Sequence, residues 1–410
     1  MKSDDVLMGI DIGTTKICSV ITRRMADPNE PLEILGVGLH PSYGLNRGTV
    51  VDLEVTARSI REAARKAMNL AGVEVRRAIV GIAGDFIQSF NSFGSAAVAG
   101  PQRGITSDDV RRATRAATTK VVPKDFDVIH ALHRAYRVDD SRGIVDPVGM
   151  VGSVLEVDAH LVSGRRTALR NIRNCTEQAG LQVSDIVLQP IASSLSVLTD
   201  EEKQAGVALV DIGGGTTDLA VYYDGHIQHS QVILIGGDYI TKDICRAFVT
   251  PFDTAEDLKR KYGTAQSERM DPNESVEIAR ISGRPPISVK RQDLCWVIEA
   301  RVEQILDQLR ATLDEHQLRD KLFGGMVLTG GTALLDGIRE KTESFLGLET
   351  QIGFPNGIEG YKDIITSPMY ATAVGLLHYA REDHTGLNGG CRGWLSRFWN
   401  RIMDGIGATY

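Results

Sequence analysis

The chain has few cysteines and no pattern in them. Cys18, Cys175, Cys245, Cys295 and Cys391 are odd in number and far apart, with no C-x-x-C and no Cys/His pair at zinc-ligand spacing, so neither a disulfide framework nor a structural zinc site is expected. Excess positive charge is missing as well. The 46 Lys and Arg against 53 Asp and Glu give a formal net charge of -7, which excludes nucleic-acid binding that rests on overall basicity. No apolar run approaches the ~18 residues of a membrane-spanning helix. Met1 to Asp5 carries two acids before the short apolar run Val6 to Ile10, unlike the basic start and longer apolar stretch of a signal peptide, so a cytoplasmic protein is expected. There is no G-x-x-x-x-G-K-[ST] loop, which excludes the P-loop fold.

What is present is ordinary globular composition with one long-range repeat. At 410 residues, 42% hydrophobic and 24% charged, the chain has length for two to three packed domains. Val6 to Ile10 leads into Asp11-Ile12-Gly13-Thr14-Thr15-Lys16 and then Ile17 to Ile21; Val207 to Val210 leads into Asp211-Ile212-Gly213-Gly214-Gly215-Thr216-Thr217-Asp218 and then Leu219 to Tyr223. Each is a strand, a Gly/Thr turn and a second strand. The copies lie about a domain length apart, which implies two related α/β lobes whose turns face each other.

The rest of the chain fills in these lobes. Helices are expected over Arg58 to Leu70, ending at Gly72, and over Leu294 to Leu313, where Ile298, Val302, Ile305, Leu306 and Leu309 make a core-facing stripe. Gly84 to Gly164 has the pattern of an insertion with its own small sheet and a helix starting at Thr106-Ser107-Asp108-Asp109; strands are expected over Asp127 to Leu132, Arg134 to Val138 and Val154 to Leu161. The expected division is lobe one at 1–83 and 165–198, the insert at 84–164, lobe two at 199–380 with an outer part at 245–322, a linker at 381–390 and a tail at 391–410.

The turns have the chemistry of a phosphate site. A turn that approaches a polyphosphate needs glycine, because a Cβ would keep the backbone amides from the anion. Gly13 and Gly213, Gly214 and Gly215 meet that need. Thr14, Thr15, Thr216 and Thr217 add hydroxyl donors, Lys16 supplies a point charge, and Asp11 and Asp211 end their strands where they can orient water around Mg²⁺. A third element, Met326 to Thr329 followed by Gly330-Gly331-Thr332 and a helix through Leu334, Leu335 and Ile338, suits the flat face of a base and ribose.

Together these three elements resemble the nucleotide-binding core shared by actin, the seventy-kilodalton heat-shock chaperones and the sugar kinases. The resemblance implies an actin-like two-lobe fold, a duplicated ribonuclease-H-like core, with ATP and Mg²⁺ as ligands. It further implies that Asp185 to Ser194 and Ala371 to Leu377 are the two connecting helices, that Gln189 is the candidate catalytic residue, placed where relatives position the attacking water, and that Glu256 and Lys259 contact the adenosine. Nearly the full chain is similar to the FtsA family of bacterial cell-division proteins. The markers are the Asp11 to Lys16 turn, Leu45-Asn46-Arg47-Gly48, Ala255 to Gly263 and Thr366-Ser367-Pro368-Met369-Tyr370 followed by Ala373 to Leu377. The insert resembles that family's extra subdomain.

The C-terminal stretch is amphipathic. At ~100° per residue, Trp394, Leu395, Phe398, Trp399, Ile402, Met403 and Ile406 fall on one half of a helix and Ser396, Arg397, Asn400, Arg401 and Asp404 on the other. Some 14 residues make ~21 Å, too short to span a bilayer but suited to lying in its interface, with Arg397 and Arg401 toward anionic headgroups. The expected function, part residue reading and part resemblance, is an ATP-binding filament protein with weak or no ATPase activity. It would sit peripherally on the cytoplasmic face of the inner membrane at the division site. There it would bind the C-terminal tail of the ring protein FtsZ, itself and anionic lipids, and recruit later division proteins through the insert. The rival is a small-molecule kinase on the same core, acting on a sugar or carboxylate.

Overall fold

The phrase that occurs twice in the sequence folds twice into the same hairpin. In the computed structural model, which describes residues 6–23, 30–100, 103–119 and 122–384, β1 (Val6–Ile12) pairs antiparallel with β2 (Lys16–Arg23), and β12 (Val207–Ile212) with β13 (Thr217–Tyr223). These strands are apolar almost throughout because both of their faces are buried.

The repetition extends past the hairpins. In lobe one β1 and β2 are flanked by β3 (Leu32–Pro41), β6 (Arg77–Ile82) and β11 (Gln182–Leu188) in the order β3-β2-β1-β6-β11. In lobe two β14 (His226–Ile233), β17 (Met326–Thr329) and β18 (Thr350–Ile352) give β14-β13-β12-β17-β18. Both sheets have two antiparallel pairings followed by two parallel ones. Parallel neighbours require crossovers. Lobe one uses α1 (Leu53–Ala71) and α3 (Arg166–Gln178); lobe two uses a longer excursion and then α9 (Ile338–Leu346).

Helix α1 begins a turn and a half before the expected Arg58, because Asp52 caps it by accepting a hydrogen bond from the Val55 amide, and it ends as expected at Gly72, whose φ is 64°. A two-residue hairpin, β4 (Leu45–Asn46) and β5 (Thr49–Val50), precedes it. The insert is a four-stranded sheet of β7 (Ile87–Ala97), β10 (Val154–Arg165), β8 (Phe126–Val138) and β9 (Ser141–Ile144), in that order, with α2 (Ser107–Thr119) across it. The two strands expected at Asp127 to Leu132 and Arg134 to Val138 are one, since a bulge opposite Asp158 and Ala159 absorbs the irregularity between them.

The connecting helix α4 (Gln189–Val197) leads to lobe two, which opens with the short α5 (Asp200–Ala205), whose Thr199 and Glu202 form a capping box. Its excursion holds α6 (Gly237–Phe248), α7 (Phe252–Tyr262), the hairpin β15 (Ser275–Ile278) and β16 (Ile287–Lys290), and α8 (Arg291–Glu315), whose predicted stripe is buried from Leu294 to Leu313. The turn after β17 differs from expectation: Gly331–Leu334 is a single 3₁₀ turn, and the α-helix starts only at Ile338.

Lobe two does not hold the chain to residue 380. Strand β19 (Ile358–Glu359) pairs with β3 as a sixth strand of the lobe-one sheet, and after α10 (Lys362–Ile365) the helix α11 (Ala371–His384) buries Ala373, Val374 and Leu377 against Cys18, Val20 and Ile34. Helix α11 also covers the first four residues of the expected linker. The rest of that linker and the amphipathic tail with Trp394 lie outside the described residues.

Helices α4 and α11 cross where the lobes meet, and Gly375 permits the crossing. A Cβ at Gly375 would stand 1.8 Å from the Ala192 carbonyl oxygen. Gly375→Val is expected to destabilise the fold by about 3 kcal/mol or more through overpacking, measured by urea unfolding; a loss under about 1 kcal/mol would show that the crossing adapts.

Candidate functional site

The two Gly/Thr turns meet in a cleft between the lobes. Each closes on itself in the same way: the Gly13 amide donates to the Lys16 carbonyl at 3.1 Å, and the Gly213 amide to the Thr216 carbonyl at 2.9 Å. The turns interdigitate. A Cβ at Gly214 would lie 1.7 Å from Thr15 Oγ1, and one at Gly215 2.5 Å from Thr14 Oγ1. The second turn therefore gives up side chains where the first keeps threonines.

Around the turns lies a cavity of about 610 Å³, lined by Asp11, Gly13, Thr14, Thr15, Lys16, Gln189, Asp211, Gly213, Gly214, Gly215, Thr216, Glu256, Lys259, Gly330, Gly331 and Thr332. Of the nucleotide-site residues proposed from sequence, Thr217 alone does not line it; its hydroxyl donates to the Ile235 carbonyl at 2.7 Å. The lining also includes Gly263, Leu334 and Leu335. The glycine after β17 is needed for contact: Gly330 has φ 87°, and a Cβ there would meet Asp211 Oδ1 at 2.3 Å.

Several side chains already have partners. Gln189 Nε2 donates to Asp11 Oδ1 at 2.7 Å, so this amide holds the carboxylate at the end of β1. Lys16 Nζ donates to the Met369 carbonyl and lies 5.2 Å from the centre of the Tyr370 ring. Asp211 Oδ2 accepts from Ser193 Oγ at 2.7 Å and Thr372 Oγ1 at 3.1 Å, one from each crossing helix. Lys259 and Glu256 pair with each other at 2.6 Å, and Thr241 donates to Glu256 Oε2 at 2.6 Å, which ties α7 to the start of α6.

Three buried aspartates make the region around the turns electrostatically expensive. Burial, opposed by Lys16 and aided by Asp211, leaves Asp11 raised to about 7. Burial likewise raises Asp211 against the pull of Ser193, Thr372 and Lys16. Asp218 is raised by burial and by Asp211, and its Oδ1 has no hydrogen-bond partner. Burial would raise Glu256 too, but Lys259, Thr241 and Arg260 outweigh it, and its pKa is lowered.

Among the cavity-lining residues that reading the sequence missed are Asp218, Asp238 and Ala83. Asp218 closes the repeated phrase and could have been found with Asp211. Asp238 follows Gly236-Gly237 at the start of α6 and accepts from Thr15 Oγ1 at 3.2 Å. Ala83 follows β6, the lobe-one counterpart of β17, so the duplication itself was its signal.

These paired sheets, with a cavity between facing hairpins, define an actin-like protein. Solved structures agree: the PilM-PilN type IV pilus biogenesis complex matches 92% of this chain and 98% of its own at TM-score 0.65 and 16% identity. MreB5 of Spiroplasma citri bound to ADP matches 95% and 100% at TM-score 0.57 and 16% identity. Within that class the sequence is specific. The family model for cell division protein FtsA matches residues 208–375, and the model for the SHS2 domain inserted in FtsA matches 84–163. The cell division protein FtsA of Pseudomonas aeruginosa is 39% identical over 382 residues, 93% of this chain and 91% of that protein. The chain belongs to the FtsA family.

The raised Asp11 pKa has a sign that can be measured. Folded protein binds this proton more tightly than unfolded chain, so the stability it contributes is present below about 4 and is lost as pH rises through about 7. In ligand-free protein, Asp11→Asn is expected to flatten the fall in Tm between about pH 5 and about pH 8; parallel wild-type and variant curves would count against the assignment.

Proposed function

We propose that the chain binds ATP with Mg²⁺ in the cleft, forms filaments and tethers the FtsZ ring to the cytoplasmic face of the membrane. The observation that carries the nucleotide reading is the facing of two glycine turns and three buried carboxylates across one cavity. The ADP bound to MreB5 of Spiroplasma citri supports it by analogy of fold. The donor set fits a cation: the unpartnered Asp218 Oδ1 and the raised Asp11 and Asp211 carboxylates are groups that a divalent charge would relieve. Among the described residues no cluster of three or more His, Cys, Asp or Glu is arranged to chelate a metal directly, so Asp11 and Asp211 would hold Mg²⁺ through water. Bound there, the ion would neutralise phosphate charge.

The kinase reading is disfavoured by the start of α4. Gln189 is an amide already committed to Asp11, where a phosphoryl acceptor would call for a carboxylate base. Weak or absent hydrolysis is carried over from the family resemblance. The remaining candidate roles rest on family and sequence: FtsZ tail recognition by lobe two near α8, recruitment of later division proteins through the insert, and anchoring by Trp394, Leu395, Arg397, Phe398, Trp399, Arg401, Ile402 and Met403. One short helix binds a bilayer reversibly, but a head-to-tail filament presents many at high effective concentration. No described helix is long and apolar enough to cross a membrane, which accords with a peripheral attachment.

Two measurements test this function. Equilibrium binding of a fluorescent ATP analogue should be Mg²⁺-dependent and at least about tenfold weaker in Gly214→Val, whose side chain would meet Thr15; equal affinity would sink the cleft as the site. Deleting Cys391 to Tyr410, or changing Trp394 and Phe398 to Glu, should abolish sedimentation with anionic liposomes, and retained sedimentation would sink the anchor.

A further inference from the structure

The segment Leu45-Asn46-Arg47-Gly48 has no part in the cavity lining, yet it holds a backbone conformation that its sequence does not favour. Arg47 and Gly48 are the two central residues of the β4–β5 hairpin, with φ of 49° and 79°. A turn with both central residues left-handed ordinarily has Asn or Asp before Gly, since the left-handed region strains other side chains. Strain kept at one position points to a use for that side chain. Arg47 is exposed and reaches across the cleft: its guanidinium lies 5.6 Å from the centre of the Tyr239 ring in the first turn of α6. The next residue back, Asp238, takes the Thr15 hydroxyl from the same lobe. The hairpin also touches the cavity wall, because Gly48 packs so close to Ala83 that a Cβ would stand 1.8 Å from its carbonyl oxygen.

A second bridge between the lobes is of another kind. The insert belongs to lobe one by chain connection but is seated on β14. Arg134 Nη2 donates to Gln228 Oε1 at 2.6 Å, Asn91 Nδ2 donates to the Gln228 carbonyl at 3.0 Å, and the buried His160 ring is hydrogen-bonded to Ser230 Oγ at 2.8 Å. Beneath them Val162 joins Tyr222 and Ile227 in one apolar cluster. Breaking this seat would strand buried polar groups. Breaking the Arg47 contact would not, as the guanidinium returns to water, and Lys242 and Arg301 already crowd the same ring at 5.1 and 5.7 Å.

We propose that the Arg47 hairpin is the releasable clasp of the cleft and that the seat of the insert on β14, with the α4–α11 crossing, is its pivot. Opening separates Arg47 from Tyr239 and Thr15 from Asp238 while the insert stays on lobe two. Arg47 thereby sets how long a nucleotide stays without touching it, a role that rests on the nucleotide reading above.

The test uses Arg47→Asn, which gives the turn its preferred Asn-Gly and so removes the cation without harming the hairpin, and Tyr239→Leu as a second variant. Full-length protein loaded with a fluorescent ATP analogue should release it about fivefold faster in both variants. Amide hydrogen exchange, measured without nucleotide, should rise over 43–50 and 237–241 and stay unchanged over 87–93 and 226–233. Unchanged exchange in the first two segments, or an equal rise in β14, would overturn the clasp and pivot. Unchanged release from protein that retains the analogue would do the same. If wild-type protein fails to retain the analogue, the nucleotide reading falls, and exchange alone decides the clasp.

Discussion

Everything in this molecule that concerns the cleft depends on the crossing of α4 and α11. Gly375 against Ala192 brings the two helices close enough for Ser193 and Thr372 to share one acceptor, Asp211 Oδ2. Asp211 ends the first strand of lobe two and is covered by Gly330 from the next. Two connectors, two strands and a turn therefore converge on a single buried carboxylate. A longer side chain at Gly375 would separate the helices and deprive Asp211 of at least one donor. The pairing of the hydroxyls offsets part of the cost of burying that charge, which an unpaired carboxylate could not sustain.

The same economy explains why the repeated turns differ. A perfect repeat would place Thr14 and Thr15 opposite residues of equal bulk, and the hairpins could not approach. Glycine at 214 and 215 resolves the conflict on one side only. The asymmetry of the two phrases is thus a packing requirement between lobes rather than drift: Thr14 and Thr15 keep side chains where Gly214 and Gly215 have none.

Much of this was legible in the chain. Hairpin turns show in sequence because glycine and threonine chemistry is local, and the stripe on α8 because helical period is local. The start of α1 was not read because its cap, Asp52, lies beyond the apolar pattern that marked the helix. The single strand β8 was split because a bulge depends on its partner strand. Ala83 was readable only by matching β6 to β17 across the duplication, and Asp238 escaped because it carries no motif and becomes a site residue only through its Thr15 contact. The return of β19 and α11 to lobe one was invisible for the same reason: nothing in Ile358-Glu359 names Leu32 and Glu33 as partners.

That return also bears on how the protein is made. The first hairpin leaves the ribosome at the outset, but the helix that covers one face of its sheet is built from residues 371–384, among the last described. At roughly 5 to 20 residues per second, translation separates them by something like twenty seconds to over a minute. During that interval Cys18, Val20 and Ile34 have no cover, while lobe two, contiguous from β12 to β18, can close on itself. Synthesis order thus makes the second lobe the earlier one to mature, and leaves the first as the part that a nascent-chain chaperone would have to guard.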